Sequence, residues 1–221
     1  MATTTVNIPA MGLVAPSSWG SRESVKGLLK KIWTNYKPYL KFASEQSNIP
    51  VDILASFIAV ESGGNATAGG SGHITQGLMQ WNRTYAKANL EKEYSSKRLS
   101  EGEKTKLASF GIKFDANGKT RVITNADQVK PELNILIGSI LLGQMIDTDW
   151  GTEDNQIKME RVIAVYNAGA YGDTGKKARS KTYKTPSDLA KVVNPTTRAY
   201  IQKMLGKDGA MDIAKTDNML V

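Results

Sequence analysis

The stretch Val51-Asp52-Ile53-Leu54-Ala55-Ser56-Phe57-Ile58-Ala59-Val60-Glu61-Ser62-Gly63-Gly64-Asn65 carries the reading of the whole chain. Pro50 stands at its start, where the fixed φ of proline suits the entry to a helix. The run is short and strongly apolar, and Ser62-Gly63-Gly64-Asn65 ends it, because glycine readily takes the left-handed conformation that closes helices. Leu54, Phe57, Ile58 and Glu61 fall at i, i+3, i+4 and i+7, which puts the Glu61 carboxylate on the apolar stripe. Burial there and the negative end of the helix both favour the neutral acid. A carboxyl group still protonated near neutral pH is what a general acid requires. The alternative for the same residue is a glutamate at a frayed helix end, turned to water.

Working outward, residues 1–20 read as an extended arm and 21–49 as a helical lead-in. Val25, Leu28, Leu29 and Ile32 there stand at helical spacing, with a break expected near Pro38. A Gly/Ser/Thr-rich loop covers 62–76, followed by the short segment Gly77 to Trp81. Residues 83–109 read as two helical pieces around a polar connection. Phe114 to Val122, with Asn117-Gly118 at its middle, predicts a β-hairpin. Pro131 to about Asp147 is expected as a buried helix through Leu133, Leu136, Ile137, Ile140, Leu141 and Met145. A further helix from about Glu153 to Tyr166 presents Met159, Val162, Ile163 and Tyr166 on one face. A basic, Gly-containing loop follows, then helices near Ser187–Val193 and Thr196–Leu205, and a C-terminal tail over 207–221. The class is mainly α, with a small β-hairpin insertion and an N-terminal arm.

The 221 residues leave room for one domain with an appendage, and 40% hydrophobic with 23% charged residues is an ordinary globular balance. Twenty glycines against seven prolines suggest several loops without low complexity. The absence of cysteine removes disulfides, thiolate metal sites and a thiol nucleophile. One histidine, His73, would have to carry any zinc site or Ser-His-Asp triad alone. It sits in the Gly-rich loop with no orienting partner in view, and reads as a surface residue. No metal and no cofactor are expected.

A formal net charge of +8 predicts attraction to a polyanion. The densest basic cluster, Lys176, Lys177, Arg179, Lys181 and Lys184, reads as a solvated loop. Nucleic acid has no supporting motif beyond charge, so no nucleic-acid partner is expected. No stretch reaches the roughly 18 apolar residues of a membrane span. Met1 to Gly20 lacks a basic n-region and a continuous apolar core, so it does not read as a secretory signal.

Five segments in order then carry a resemblance: Glu61-Ser62-Gly63-Gly64-Asn65, Gly77-Leu78-Met79-Gln80, the helix around Asn134–Leu142, Val165-Tyr166-Asn167-Ala168-Gly169, and Thr197-Arg198-Ala199-Tyr200. Over about residues 50–205 they resemble the lytic transglycosylase and goose-type lysozyme family. The resemblance implies a lysozyme-like helical domain over 50–206 that cleaves the MurNAc–GlcNAc bond of bacterial peptidoglycan. It implies Glu61 as catalytic acid and then base, with Ser62 as polar support. Met79 and Gln80 would line the sugar subsites, Tyr166 and Asn167 would lie against the same site, and Tyr200 would complete the wall. Met79 and Tyr166 fit a core role equally well.

Val165 replaces a usual alanine, and Thr196 stands where the family commonly has glutamate. An insertion of about residues 86–126 follows Gln80. Because the family's nucleophile is the substrate's own C6 hydroxyl, one carboxyl suffices and the product ends in 1,6-anhydro-MurNAc. The alternatives are a true muramidase, with Asp127 or Asp173 supporting a hydrolytic water, and an inactive wall-binding virion protein. With no signal in view, the expected setting is a bacteriophage virion component acting in the host periplasm and cell wall, joined to other virion proteins through residues 1–20. A cytoplasmic endolysin released through a holin is the alternative.

Overall fold

A computed structural model describes residues 12–70, 72–147, 155–169, 172–179 and 186–217, without the side chains of 155–158 and 186. The described chain is mainly helical, and among the described residues there is no β-strand, only isolated bridges between Val14 and Lys207 and between Thr75 and Asn82. It forms two compact units. One joins the residues up to Lys31 with those from Met145 onward, and the other is Ile32–Gln144.

The Ile32–Gln144 unit begins within α1 (Arg22–Ser47). The break expected near Pro38 does not occur, and α1 runs through it. The proline removes one backbone hydrogen bond, at a cost of about 3 kcal/mol. Ile32, Leu40 and Ala43 on either side of it are fully buried, and that packing outweighs the loss.

Next come α2 (Val51–Ser62), α3 (Arg83–Ser95), α4 (Glu101–Ser109), α5 (Asn125–Gln128) and α6 (Pro131–Asp147). The two helical pieces expected over 83–109 are α3 and α4. The former is capped by the Asn82 side chain and the latter by a Ser100/Glu103 capping box. All seven residues from Ile53 to Ala59 are buried. Leu133, Ile135, Leu136, Ile137, Ile140, Leu141 and Leu142 of α6 are buried as well. A helix apolar on nearly every side belongs inside a domain.

The β-hairpin expected over 114–122 is absent. A tight turn does form, with the Gly118 N–H donating to the Asp115 carbonyl at 2.9 Å and Gly118 at φ +71°. Side chains then take the backbone groups a strand ladder would need. Asp115 Oδ1 accepts from the Asn117 and Lys119 N–H groups, and Glu91 Oε1 accepts from Thr120 N–H. Arg121 donates to the carbonyls of Phe110, Gly111 and Val122. Phe114 leaves the turn to stack on Tyr94, ring centroids 4.2 Å apart.

The other unit holds the start of α1, α7 (Asn155–Ala168), α8 (Asp173–Arg179), α9 (Pro186–Val192), α10 (Pro195–Leu205) and α11 (Ala210–Thr216). Helix α7 packs against α8, α9 and α10, and α10 against α11. Part of the expected basic loop is helix α8, while Lys181 and Lys184 lie outside the described residues. Part of the expected tail is helix α11, with Ala210, Met211, Ile213 and Ala214 buried. Of the arm, residues 1–11 lie outside the described residues. Its remainder is held to this unit, because Lys207 N–H donates to Leu13 and Ala15 N–H to Lys207, both at 2.9 Å. A Cβ on Gly206 would come within 2.8 Å of the Val14 and Ala15 backbone, so this approach needs glycine. Arg22 joins Asp208 at 2.9 Å and Asp217 at 3.0 Å, and Lys26 joins Asp217 at 2.9 Å.

Candidate active-site residues

Glu61 lies in the last turn of α2, half-buried, neither sealed in the core nor fully turned to water. Leu54, Phe57 and Ile58 of its stripe are fully buried. The helix closes as its sequence requires: Gly63 is left-handed at φ 59°, and its N–H donates to the Ala59 carbonyl at 3.1 Å. Ser62 serves the same closure, donating to the Ile58 carbonyl at 3.1 Å and accepting from Gly64 N–H at 3.2 Å. The Tyr36 hydroxyl of α1 donates to the Gly64 carbonyl at 3.0 Å. Burial pushes the Tyr36 phenol upward in pKa. Sequence reasoning missed Tyr36, since nothing in α1 marks a partner 28 residues away.

The loop leaving Glu61 is tied to the Gly77-Leu78-Met79-Gln80 turn. Gly77 N–H and Gln80 Nε2 both donate to the Ala68 carbonyl at 3.0 Å, and Gln80 Nε2 also donates to Gly77 O at 2.7 Å. Gln80, expected at a sugar subsite, is half-buried with a left-handed backbone at φ 47°, and its amide nitrogen serves this turn. Met79 is fully buried with its sulfur against Gly138, where a Cβ would lie 2.3 Å from Sδ. The core role considered for Met79 is the one its burial matches.

Asn134 in α6 fastens the turn. Its Oδ1 accepts from Met79 N–H at 2.8 Å, and its Nδ2 donates to the Gln76 carbonyl at 3.1 Å and the Gln128 carbonyl at 2.7 Å. Its own carbonyl accepts from Trp81 Nε1 at 2.9 Å. Gly77 sits at φ +85°, and a Cβ there would meet Gln128 O at 2.2 Å and Asn134 Nδ2 at 2.3 Å. The one available sequence signal for this clamp was an amide side chain near the start of an apolar helix, where buried amides are kept only if bonded.

In the other unit, Tyr166 and Asn167 are both half-buried in the last turn of α7, which ends at Gly169 with φ +76°. Asn167 Oδ1 accepts from the Thr197 hydroxyl at 2.9 Å, and Thr197 is 1% exposed. The chain of bonds continues through Asn194, which accepts from Thr197 N–H at 2.8 Å and donates to the Thr174 hydroxyl at 2.9 Å. These residues, with Ala168, Gly172, Asp173 and Thr196, line an open polar hollow of about 450 Å³. That volume falls in the range of small-molecule sites. Tyr200, expected in the site wall, is buried at 7% exposure.

The two aspartates considered as water-activating groups differ. Asp173 is exposed at the start of α8 and lines the hollow. Asp127 is buried and fully engaged, accepting from Arg121 at 2.7 and 3.1 Å, from Thr124 N–H and hydroxyl at 2.9 Å, and from Lys130 at 3.2 Å. Burial alone would raise its pKa, but Arg121, Thr124 and Lys130 outweigh it and hold the carboxyl well below the usual range. Such a group is a poor base. His73 is exposed. Among the described residues, no group of three or more His, Cys, Asp and Glu is placed to hold a metal ion. No helix of the described residues is long and apolar enough to cross a membrane.

No protein-family model matches this chain, and no curated protein matches it.

Proposed function

We propose that this protein cleaves the glycan strands of bacterial peptidoglycan, with Glu61 as the single acid/base. The observation that carries the reading is Glu61 itself: a half-buried glutamate on the closing turn of an apolar helix, followed by a loop knitted to the Gln80 turn through Ala68. Rigid support of that kind is what a positioned proton donor needs. The ordered motif resemblance supplies the substrate class. The hollow beside Asn167, lined with hydroxyls and amides, suits a sugar's hydrogen-bonding surface.

In this mechanism Glu61 protonates the glycosidic oxygen between N-acetylmuramic acid and N-acetylglucosamine, and that bond breaks. The ionised Glu61 then takes the proton of the sugar's C6 hydroxyl, whose oxygen closes on the anomeric carbon as a 1,6-anhydro ring. Atoms balance without water. The engagement of Asp127 favours this route over hydrolysis, which usually recruits a second carboxylate. The setting we propose is a bacteriophage virion component acting on the host wall.

The test uses purified sacculi. Glu61→Gln keeps the side chain's shape but cannot deliver the proton, so clearing should fall at least 10²-fold, the lower end of general acid–base assistance. The melting temperature should not change. Activity within tenfold of wild type at equal stability refutes the role of Glu61. Mass spectrometry of the wild-type digest should show muropeptides lighter by one water and resistant to borohydride. Reducible ends instead would make the enzyme a hydrolase, with Asp173 the next residue to test.

A further inference from the structure

On α1, the helix that also carries Tyr36, Trp33 is half-buried while Lys37 and Lys41 are exposed. Residues 33, 37 and 41 are each four apart, so the three side chains share one stripe of the helix. Lys37 Nζ lies 4.9 Å and Lys41 Nζ 5.9 Å from the centroid of the Trp33 ring. The two ammonium groups are therefore at most about 11 Å apart, gathered by one aromatic ring.

Like charges at i and i+4 repel, and a helix ordinarily relieves this with an acidic residue at the same spacing. Glu45 stands one turn beyond Lys41, yet among the described residues no ion pair engages Lys37, Lys41 or Glu45. Elsewhere in this unit, Lys87, Lys104, Lys106, Lys119 and Lys130 have carboxylate partners, while Lys92, Lys97 and Lys113 have no ion pair among the described residues; what sets Lys37 and Lys41 apart is that one aromatic ring gathers them. The stripe thus carries two ammonium groups that, among the described residues, no carboxylate holds in an ion pair, on a chain of net charge +8.

We propose that the Trp33–Lys37–Lys41 stripe is an accessory docking surface for the peptide stems of peptidoglycan, their free carboxylates taking the two ammonium groups. This rests on the function proposed above, for it is the wall's repeating carboxylates that complement a fixed pair of cations. Each contact is weak and screened by salt. A polymer that presents the same group repeatedly turns weak contacts into retention.

The experiment is co-sedimentation with purified sacculi in the Glu61→Gln background, which preserves the substrate. Lys37→Gln with Lys41→Gln, two exposed changes, should weaken binding about fivefold or more at low salt and flatten its salt dependence. Trp33→Leu, which frees the lysines from the ring, should give a smaller loss. Sacculi whose carboxylates have been chemically amidated should bind the parent chain as weakly as native sacculi bind the double variant. With Glu61 restored, turnover of short glycan lacking stem peptides should be the same with or without the two lysines. Unchanged binding by the double variant, or equal binding to amidated and native sacculi, overturns the proposal while leaving cleavage by Glu61 standing. A wild type that neither binds nor clears sacculi removes both.

Discussion

Replacing Asn134 by alanine removes the three hydrogen bonds that fasten the Gly77–Gln80 turn to α6. Met79 N–H loses its acceptor, and the carbonyls of Gln76 and Gln128 lose a donor. Asn134 is fully buried, so none of these groups regains bulk water. A buried polar group left unpaired costs about 1–3 kcal/mol. Water entering the vacated space relieves part of that, which leaves a loss of about 3–5 kcal/mol, a large share of a typical domain stability of about 5–15 kcal/mol. Urea denaturation should show the midpoint falling with little change of slope.

Asn134→Asp sharpens the test. Its carboxyl can still accept from Met79 N–H, but when ionised it has no proton for the two carbonyls. The folded state therefore favours the neutral acid, and the folded pKa is raised above the unfolded value of about 3.9. The native state then binds more protons than the unfolded one, so stability falls as pH rises. The deficit relative to wild type should be smallest below about pH 4, grow as pH rises above the unfolded value, and level off above the folded pKa. Midpoints for Asn134→Ala within error of wild type, or a deficit for Asn134→Asp that does not depend on pH, would refute the clamp.

Two further predictions follow from the same unit. Tyr36→Phe deletes the hydroxyl that holds the Gly64 carbonyl; it should cost about 1 kcal/mol in urea denaturation and lower clearing of sacculi, whereas unchanged stability and rate would detach Tyr36 from the Glu61 loop. Glu91 bonds Lys87, the Thr120 N–H and Lys119, and Lys87 most of all holds its carboxyl down at about 2 from an ordinary 4.5. A depressed folded pKa gives stability that is present above the unfolded value and lost as pH falls toward the folded one. Wild type should therefore lose more stability than Glu91→Gln between about pH 4.5 and 2, by urea midpoints, and parallel curves would contradict the pairing.

The helices were legible because their signals are local. Pro50 with Gly63 bracketed α2, and the apolar run from Leu133 to Met145 announced α6, since periodicity and terminators need no tertiary partner. Glu61 could be singled out for the same reason: its place on the stripe depends only on the spacing of neighbours within one helix. The hairpin misreading at Phe114–Val122 shows the limit. Asn117-Gly118 specified a turn, but whether strands flank a turn depends on what else competes for their backbone groups. Here Glu91, 29 residues earlier, and the Arg121 side chain won. Pro38 failed to break α1 because the burial of Ile32, Leu40 and Ala43 is a tertiary term that outweighs a local propensity. The functions of polar side chains were the least legible. The family resemblance offered Gln80 as a sugar contact, and Met79 as either a sugar contact or a core residue. Only the folded chain shows Met79 packed on Gly138, the Gln80 amide holding its own turn, and Asn134 and Tyr36 reaching across 55 and 28 residues to fasten the Gly77–Gln80 turn and the loop that follows Glu61. A hydrogen bond between distant segments leaves no periodic trace in either, so it becomes visible only when the chain has closed around it.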